Sequence, residues 1–466
     1  MPLISTHSWL LSVIGPFSRL PKLVFPTSKY WTIVVGLSSI LLCWCPANLM
    51  AQEDGFSDPV MSPPPALLST QLPEPNPCKD FKNKKSFDNL ILCIQHIAGL
   101  SWKGIKPTFG GVVPGSGFGG GIAYTAEHNE QGSGPVPAVW QMQFDAGARI
   151  TTRKYWQIDG SLNVAKTRSD SNNRSVDLEM NFYGQVKDMP RLDFYGLGPE
   201  SDQADLAKCH YRESVVGADI SVPATQWMDV GAALEGIWPR LTTITDPSVR
   251  SVNQIYDDSS APGLSADPTY LHFAGYLGLH STGELESQRL RYDFFYHIYH
   301  DVGEKRFSFR RFDADLKHKF RLGEKSELRL RGRMSSSSTS NGQRVPFYLQ
   351  ETVGGSNIRG QDTLRGFDDY RFRDRHFLLL QTDFMTELRG PLKLIVFYDT
   401  GKVAPSLRRI DEGRLRHTYG AGVVIMPRGL DQVMFRFYVG LGSGEGSHLF
   451  FGPGDSILGG SNKLVR

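Results

Sequence analysis

From about Lys106 onward, apolar and polar residues alternate with a period of two. Trp140, Met142, Phe144, Ala146 and Ala148 fall on one side, and Gln141, Gln143, Asp145, Gly147 and Arg149 on the other. Leu290, Tyr292, Phe294, Tyr296 and Ile298 alternate with Arg289, Arg291, Asp293 and His297. Leu328 and Leu330 oppose Arg329, Arg331 and Arg333, and Phe435, Phe437, Val439 and Leu441 oppose Arg436, Tyr438, Gly440 and Gly442. Successive side chains of a strand point to opposite faces, so each stretch reads as a strand with one apolar face. A soluble sandwich gives the same alternation, but its strands run about 5–6 residues. A tilted membrane strand needs about 9–11, and these stretches are of that length or longer. Tyr and Trp near their ends suit interfacial girdles.

The pattern predicts strands near 106–113, 117–127, 139–151, 155–166, 177–189, 207–222, 228–240, 269–281, 288–301, 306–322, 326–338, 376–388, 392–403, 416–427, 434–445 and a short 447–452. The expected fold is all-β: a transmembrane antiparallel β-barrel of about 16 strands, an even number as bacterial single-chain barrels have. The gap at 339–375 is a long surface loop, and loops of that length usually carry function.

The start of the chain differs. Trp31 to Cys45 is apolar and follows Arg19, Lys22 and Lys29, so residues 1–51 read as a secretory signal cut near Ala51. Residues 52–104 read as a Pro-rich periplasmic linker with one short helix over 86–97, capped by Ser86. Cleavage leaves Cys78, Cys93 and Cys209, of which Cys78 and Cys93 are candidates for a disulfide. Residues 105–452 are assigned to the barrel and 453–466 to a polar tail.

Composition narrows the class. The chain has 466 residues with 48 Gly, 11% aromatics and 21% charged residues. A mean hydropathy of −0.28 excludes a helical membrane bundle. The net charge of +3 speaks against nucleic-acid binding. No Cys/His spacing supports a metal site. His297 and His300 are three apart, point to opposite faces of a strand and cannot share a ligand. The run Gly117–Gly121 opens a strand and precedes no helix, so it is no phosphate loop.

The long loop carries Leu364-Arg365-Gly366-Phe367, and the next two strands carry Gln381-Thr382-Asp383-Phe384 and Phe397-Tyr398-Asp399-Thr400-Gly401. This ordered set resembles the BamA/TamA superfamily of outer-membrane assembly and translocation barrels, the bacterial surface antigen type. The resemblance covers roughly residues 105–452, and Phe194 to Pro199 resembles a further segment of such barrels. It implies that the loop folds into the lumen and that its arginine pairs with acids on the wall. Alternation places Gln381, Asp383, Glu387, Phe397, Asp399 and Gly401 on the lumen side. Arg365 suits the clamp because a guanidinium stays charged and forks onto carboxylates. Phe367 is expected to pack beside it, and Gly366 permits a tight backbone. This chain departs from the family in inserting SNIRGQDT between Gly355 and Leu364, which makes Arg359 an alternate clamp residue.

Between Ala51 and Lys106 a complete POTRA domain does not fit. The last aromatic is Phe451, so a short final strand and a weak seam are expected. The resemblance implies insertion or export of outer-membrane or secreted molecules, with outer-membrane lipid and client proteins as partners. It implies no enzyme, cofactor, nucleic acid or small-molecule substrate. A gated or plugged diffusion pore and a membrane-anchored scaffold are the other readings.

Overall fold

In a computed structural model, the structure describes residues 104–131, 138–170, 173–281, 288–426 and 435–453. The signal segment, the linker with its helix, Cys78 and Cys93, and the tail after 453 lie outside the described residues. The strands are β1 (Ile105–Phe109), β2 (Gly119–Gln131), β3 (Ala138–Thr151), β4 (Trp156–Asp170), β5 (Asn173–Phe194), β6 (Ala207–Thr225), β7 (Met228–Thr242), β8 (Tyr270–His280) and β9 (Gln288–Asp301). They continue as β10 (Phe309–Leu322), β11 (Ser326–Ser338), β12 (Glu351–Val353), β13 (Phe372–Asp374), β14 (His376–Arg389), β15 (Leu392–Ala404), β16 (Arg416–Ile425), β17 (Phe435–Gly442) and β18 (Gly446–Pro453). All but β12 and β13 form one 16-stranded sheet in chain order, each strand antiparallel to the next. Those two form a small hairpin inside the long loop, which alternation alone did not reveal.

The ends of β1, β5 and β6 differ from expectation. β1 stops at Phe109 because Gly110, Gly115 and Gly117 take positive φ and turn the chain. β5 and β6 run past the expected ends to Phe194 and Thr225. A bulge between Met189 and Leu192 bends this hairpin, and Met189, Leu192, Phe194, Cys209 and Tyr211 become fully buried.

One face of the sheet is apolar and exposed. Phe144, Ile158, Phe182, Val216, Leu234, Phe273, Ile298, Phe384, Val396 and Val439 lie on it, drawn from ten different strands. An apolar surface of that extent belongs in lipid rather than water. The opposite face carries ladders of charge. Arg331 donates from Nε and Nη2 to Asp315 at 2.8 and 2.7 Å, and Lys319 lies 3.2 Å from Glu327. Arg329 lies 2.6 Å from Glu327. The long loop touches this inner face at β10, β15 and β17, so the sheet curls around it as a barrel wall. Closing strands into a barrel is what lets backbone polar groups cross a bilayer paired.

Consecutive connections alternate between two ends, and the long ones share one end. There, residues from several loops and strand ends form an apolar core. It includes Val113, Tyr155, Phe194, Tyr211, Val252, Phe347, Tyr348 and Tyr370. Phe194 packs on Phe347 with centroids 4.5 Å apart, and Tyr211 on Tyr348 at 5.2 Å.

Candidate functional site: the loop anchored inside the barrel

Asp399 lies mid-way along β15, where Val396 and Tyr398 face out and Phe397, Asp399 and Gly401 face in. On β14, Asp383 points inward opposite Phe397, and Gln381 opposite Asp399. The side chain of Asp399 has no exposed surface. A carboxylate so enclosed needs a cation and donors. Arg365 supplies both. Its backbone N–H donates to Asp399 Oδ2 at 3.1 Å, Nε to Oδ2 at 2.9 Å and Nη2 to Oδ1 at 2.5 Å. The same Nη2 donates to Asp383 Oδ1 at 2.6 Å. Gln381 Nε2 donates to the carbonyl of Thr363 at 3.0 Å, fixing the loop one step upstream. Burial works against the charge on Arg365. Asp399 and Asp383 overcome it and hold its pKa well above the ordinary value.

The ring beside Arg365 differs from expectation. The ring against the guanidinium is Phe397, whose centroid lies 3.8 Å from Cζ of Arg365. Phe367 instead enters an apolar cluster with Val353, Leu364, Phe372, Phe377, Leu379 and Val403. Gly401 lies outside the ion cluster, pressed on the β14 backbone, where an added Cβ would stand 2.8 Å from the carbonyl of Leu378.

Sequence reasoning missed the surface on which the loop lies. A Cβ on Gly440 would stand 2.5 Å from the carbonyl oxygen of Arg365, and one on Gly442 would stand 2.5 Å from that of Gly366. A Cβ on Gly366 would in turn reach 2.5 Å from the amide of Gly442. Backbone therefore lies directly on backbone. The alternation had placed Gly440 and Gly442 on the inner face, and two glycines at successive inward positions were the available signal.

Arg359 does not join this cluster. Its Nη2 donates to Glu351 at 2.9 Å, and Arg311 of β10 meets the same carboxylate at 3.1 Å. The inserted segment forms a turn of its own. Ser356 bridges to Asp362, Gly360 takes φ 77°, and Asp362 pairs with Arg436 of β17. Arg359 is thereby held at Glu351, and Asp383 and Asp399 are left to Arg365.

Further arginines fix the loop at its outer side. Arg371 donates to both oxygens of Glu445 in the β17–β18 turn, at 2.8 and 2.7 Å. Its neighbour Tyr370 donates to the carbonyl of Pro114 in the β1–β2 loop at 2.8 Å. Adjacent residues thus hold the first and last hairpins. The segment Phe194 to Pro199 packs on these side chains: Arg371 stands over Tyr195 at 5.0 Å, and the Gly198 amide donates to the carbonyl of Arg373 at 2.9 Å.

A second inner cluster was also missed. Tyr183 of β5 donates to Glu235 of β7, and Glu235 Oε2 lies 2.7 Å from Nδ1 of His272 on β8. His272 Nε2 lies 3.1 Å from Nδ1 of His297 on β9, and Nε2 of His297 lies 3.2 Å from Asp313 on β10. His297 and His300 were considered only as a pair on one strand. Its real partners come from neighbouring strands, at positions that no local spacing links. Among the described residues, no group of three or more His, Cys, Asp and Glu is arranged to hold a metal.

The fold and site define a sixteen-stranded barrel with an arginine-anchored loop inside it. No family model and no curated protein matches the chain. Among solved structures it is similar to BamA from Haemophilus ducreyi lacking POTRA domains 1–3, at a TM-score of 0.44 and 10% identity, over 79% of each chain. It is also similar to CdiB from Escherichia coli, at 0.44 and 11%, over 76% of this chain, and to CdiB from Acinetobacter baumannii, at 0.40 and 12%, over 71%. The chain spans 61% and 56% of those two CdiB chains.

Proposed function

We propose that this chain is an outer-membrane barrel that inserts or exports client proteins, and that Arg365 clamps the long loop inside it. The observation that carries the reading is the buried junction of Arg365 with Asp399 and Asp383, seated on Gly440 and Gly442. A loop held this firmly to β14–β17 stiffens that side of the barrel and fills its outer mouth. The least-paired strands lie at the two ends of the sheet order: β1 has 5 residues and β18 has 8. An edge with few ladder bonds is where another strand is added at least cost. Client handling is assigned to that edge, with the clamped loop holding the rest of the wall in register.

The test is depletion of the protein followed by quantification of other outer-membrane barrels and of secreted proteins. Loss of a subset, restored by the wild-type chain and not by Arg365→Ala, supports the reading. Unchanged levels of all of them would contradict it. A large bilayer conductance that rises in Arg365→Ala, with client levels unchanged, would assign a plugged pore instead.

A further inference from the structure

A cavity of about 620 Å³ opens at the long-loop end, away from the Arg365 junction. Its wall includes Arg153, Lys154, Arg191 and Lys208, against Asp193 and Asp369. These charges are not all neutralised within the protein. Lys208 is matched by Asp193, and Arg191 by Asp246 at 3.1 Å. Arg153 donates Nη1 to the carbonyl of Gly115 at 2.7 Å and keeps its other donors. Lys154 donates its backbone N–H to the carbonyl of Thr151 at 2.9 Å, and its ammonium has no hydrogen-bond or ion-pair partner among the described residues. It also sits at φ 65°, a left-handed conformation in which Gly or Asn is the inexpensive choice. The β3–β4 turn thus holds a lysine in a costly conformation beside an arginine, both at one cavity.

We propose that this cavity binds a phosphate-bearing anion, with Arg153 and Lys154 as its principal charges. A guanidinium and an ammonium together offer forked and point-charge donors, the combination that suits a tetrahedral oxyanion. Asp369 makes the binding pH-dependent. Burial pushes its carboxyl up to about 7, and Asp362, Asp193 and Asp368 add to the rise. The Ser356 amide opposes it by donating to Oδ1 at 2.8 Å. Besides the arginines, lysines and Asp193 named above, Tyr155 and Tyr370 are the titratable groups that share this wall. An arriving anion favours the neutral carboxyl, so binding takes up a proton and tightens as pH falls through about 7.

The full chain, folded in zwitterionic detergent, is titrated with inorganic pyrophosphate by calorimetry. In parallel, phosphatidylglycerol retained from mixed phosphatidylcholine nanodiscs is counted by native mass spectrometry. Arg153→Gln combined with Lys154→Gln is expected to weaken binding roughly tenfold or more, while Arg306→Gln, an exposed loop arginine outside this cavity, leaves it unchanged. Heat-modifiable migration verifies that each variant is folded. Binding of pyrophosphate alone assigns a free anion, and selective retention of phosphatidylglycerol assigns a lipid headgroup. The proposal is overturned if neither probe binds, or if Arg306→Gln loses as much as the paired variant. Retention of phosphatidylglycerol, whose phosphodiester does not titrate near neutrality, is expected to be about threefold stronger at pH about 6 than at about 8. Asp369→Asn should flatten that difference, and a variant that kept it would remove Asp369 from the account.

Discussion

Arg365 and Asp399 are joined by three hydrogen bonds, one from the backbone amide and two from the guanidinium. The loop and the wall are therefore fixed to each other in position and in orientation. A single point contact would allow the loop to pivot. Truncating the Arg365 side chain leaves Asp399 buried with the Arg365 amide and a long contact from Gln381 Nε2 at 3.5 Å as donors, and no cation.

Replacing Arg365 by Lys keeps the charge but loses the fork. An ammonium cannot place two parallel donors on Asp399 while reaching Asp383. We expect Arg365→Lys to recover less than half of the heat-modifiable folded fraction lost in Arg365→Ala, read by cold and heated gel migration. Full recovery would mean that charge alone suffices.

The glycine seat makes a steric prediction. Gly440→Ala places a Cβ 2.5 Å from the carbonyl of Arg365, and Gly442→Ala does the same at Gly366. Overpacking of this kind costs about 1–3 kcal/mol. Both variants should raise protease cleavage within 351–375 while the strands stay protected. Gly275→Ala is the control, because its Cβ would meet nothing within 4 Å. Equal protection in all three would show that the loop does not lie on β17.

The histidine cluster should matter through burial. His272→Phe leaves Glu235 charged, enclosed and held by Tyr183 alone, and losing one partner of a buried charge costs about 3–5 kcal/mol. His280→Phe breaks a contact with Asp229 in which both side chains are about a third exposed, and it should cost about 0–1 kcal/mol. Urea unfolding in lipid vesicles distinguishes these values.

The loop carries a pH dependence of its own. Burial raises Asp369 to about 7 and Asp374 to about 6. A carboxyl whose folded pKa is raised binds more protons folded than unfolded, so its contribution falls as pH rises. It is fully present below the unfolded value of about 4 and is lost by about pH 7. Hydrogen exchange over 351–375 should therefore speed up, beyond the intrinsic rate, as pH rises from about 5 to about 8. Asp369→Asn should remove much of that change.

Much of the fold was legible because a lipid-facing strand must alternate over its whole length. β3, β9, β11 and β15 could be read in this way almost to the residue. β5 was underestimated because its last residues leave the lipid and pack in the loop-end core, where Leu192 and Phe194 obey contacts that period two does not encode, whereas β6 runs on at the opposite end, where its last three residues are exposed. The residues meeting at Arg365 could be read from parity on two adjacent strands together with a motif. The partner of Arg359, the ring over Arg365 and the Glu235–His272–His297 cluster could not. Each depends on register between distant segments: β12 against β10, the loop against β15, and β7 to β9 across the lumen face.

The central claim is that Arg365 and Asp399 act as one unit holding the loop. The most direct measurement is a double-mutant cycle of Arg365→Ala and Asp399→Ala on unfolding free energy in lipid vesicles. Each single change is expected to cost about 3–5 kcal/mol, and the pair much less than the sum, because removing both partners leaves no orphaned charge at Asp399. Strict additivity, or singles within about 0.5 kcal/mol of wild type, would contradict the account.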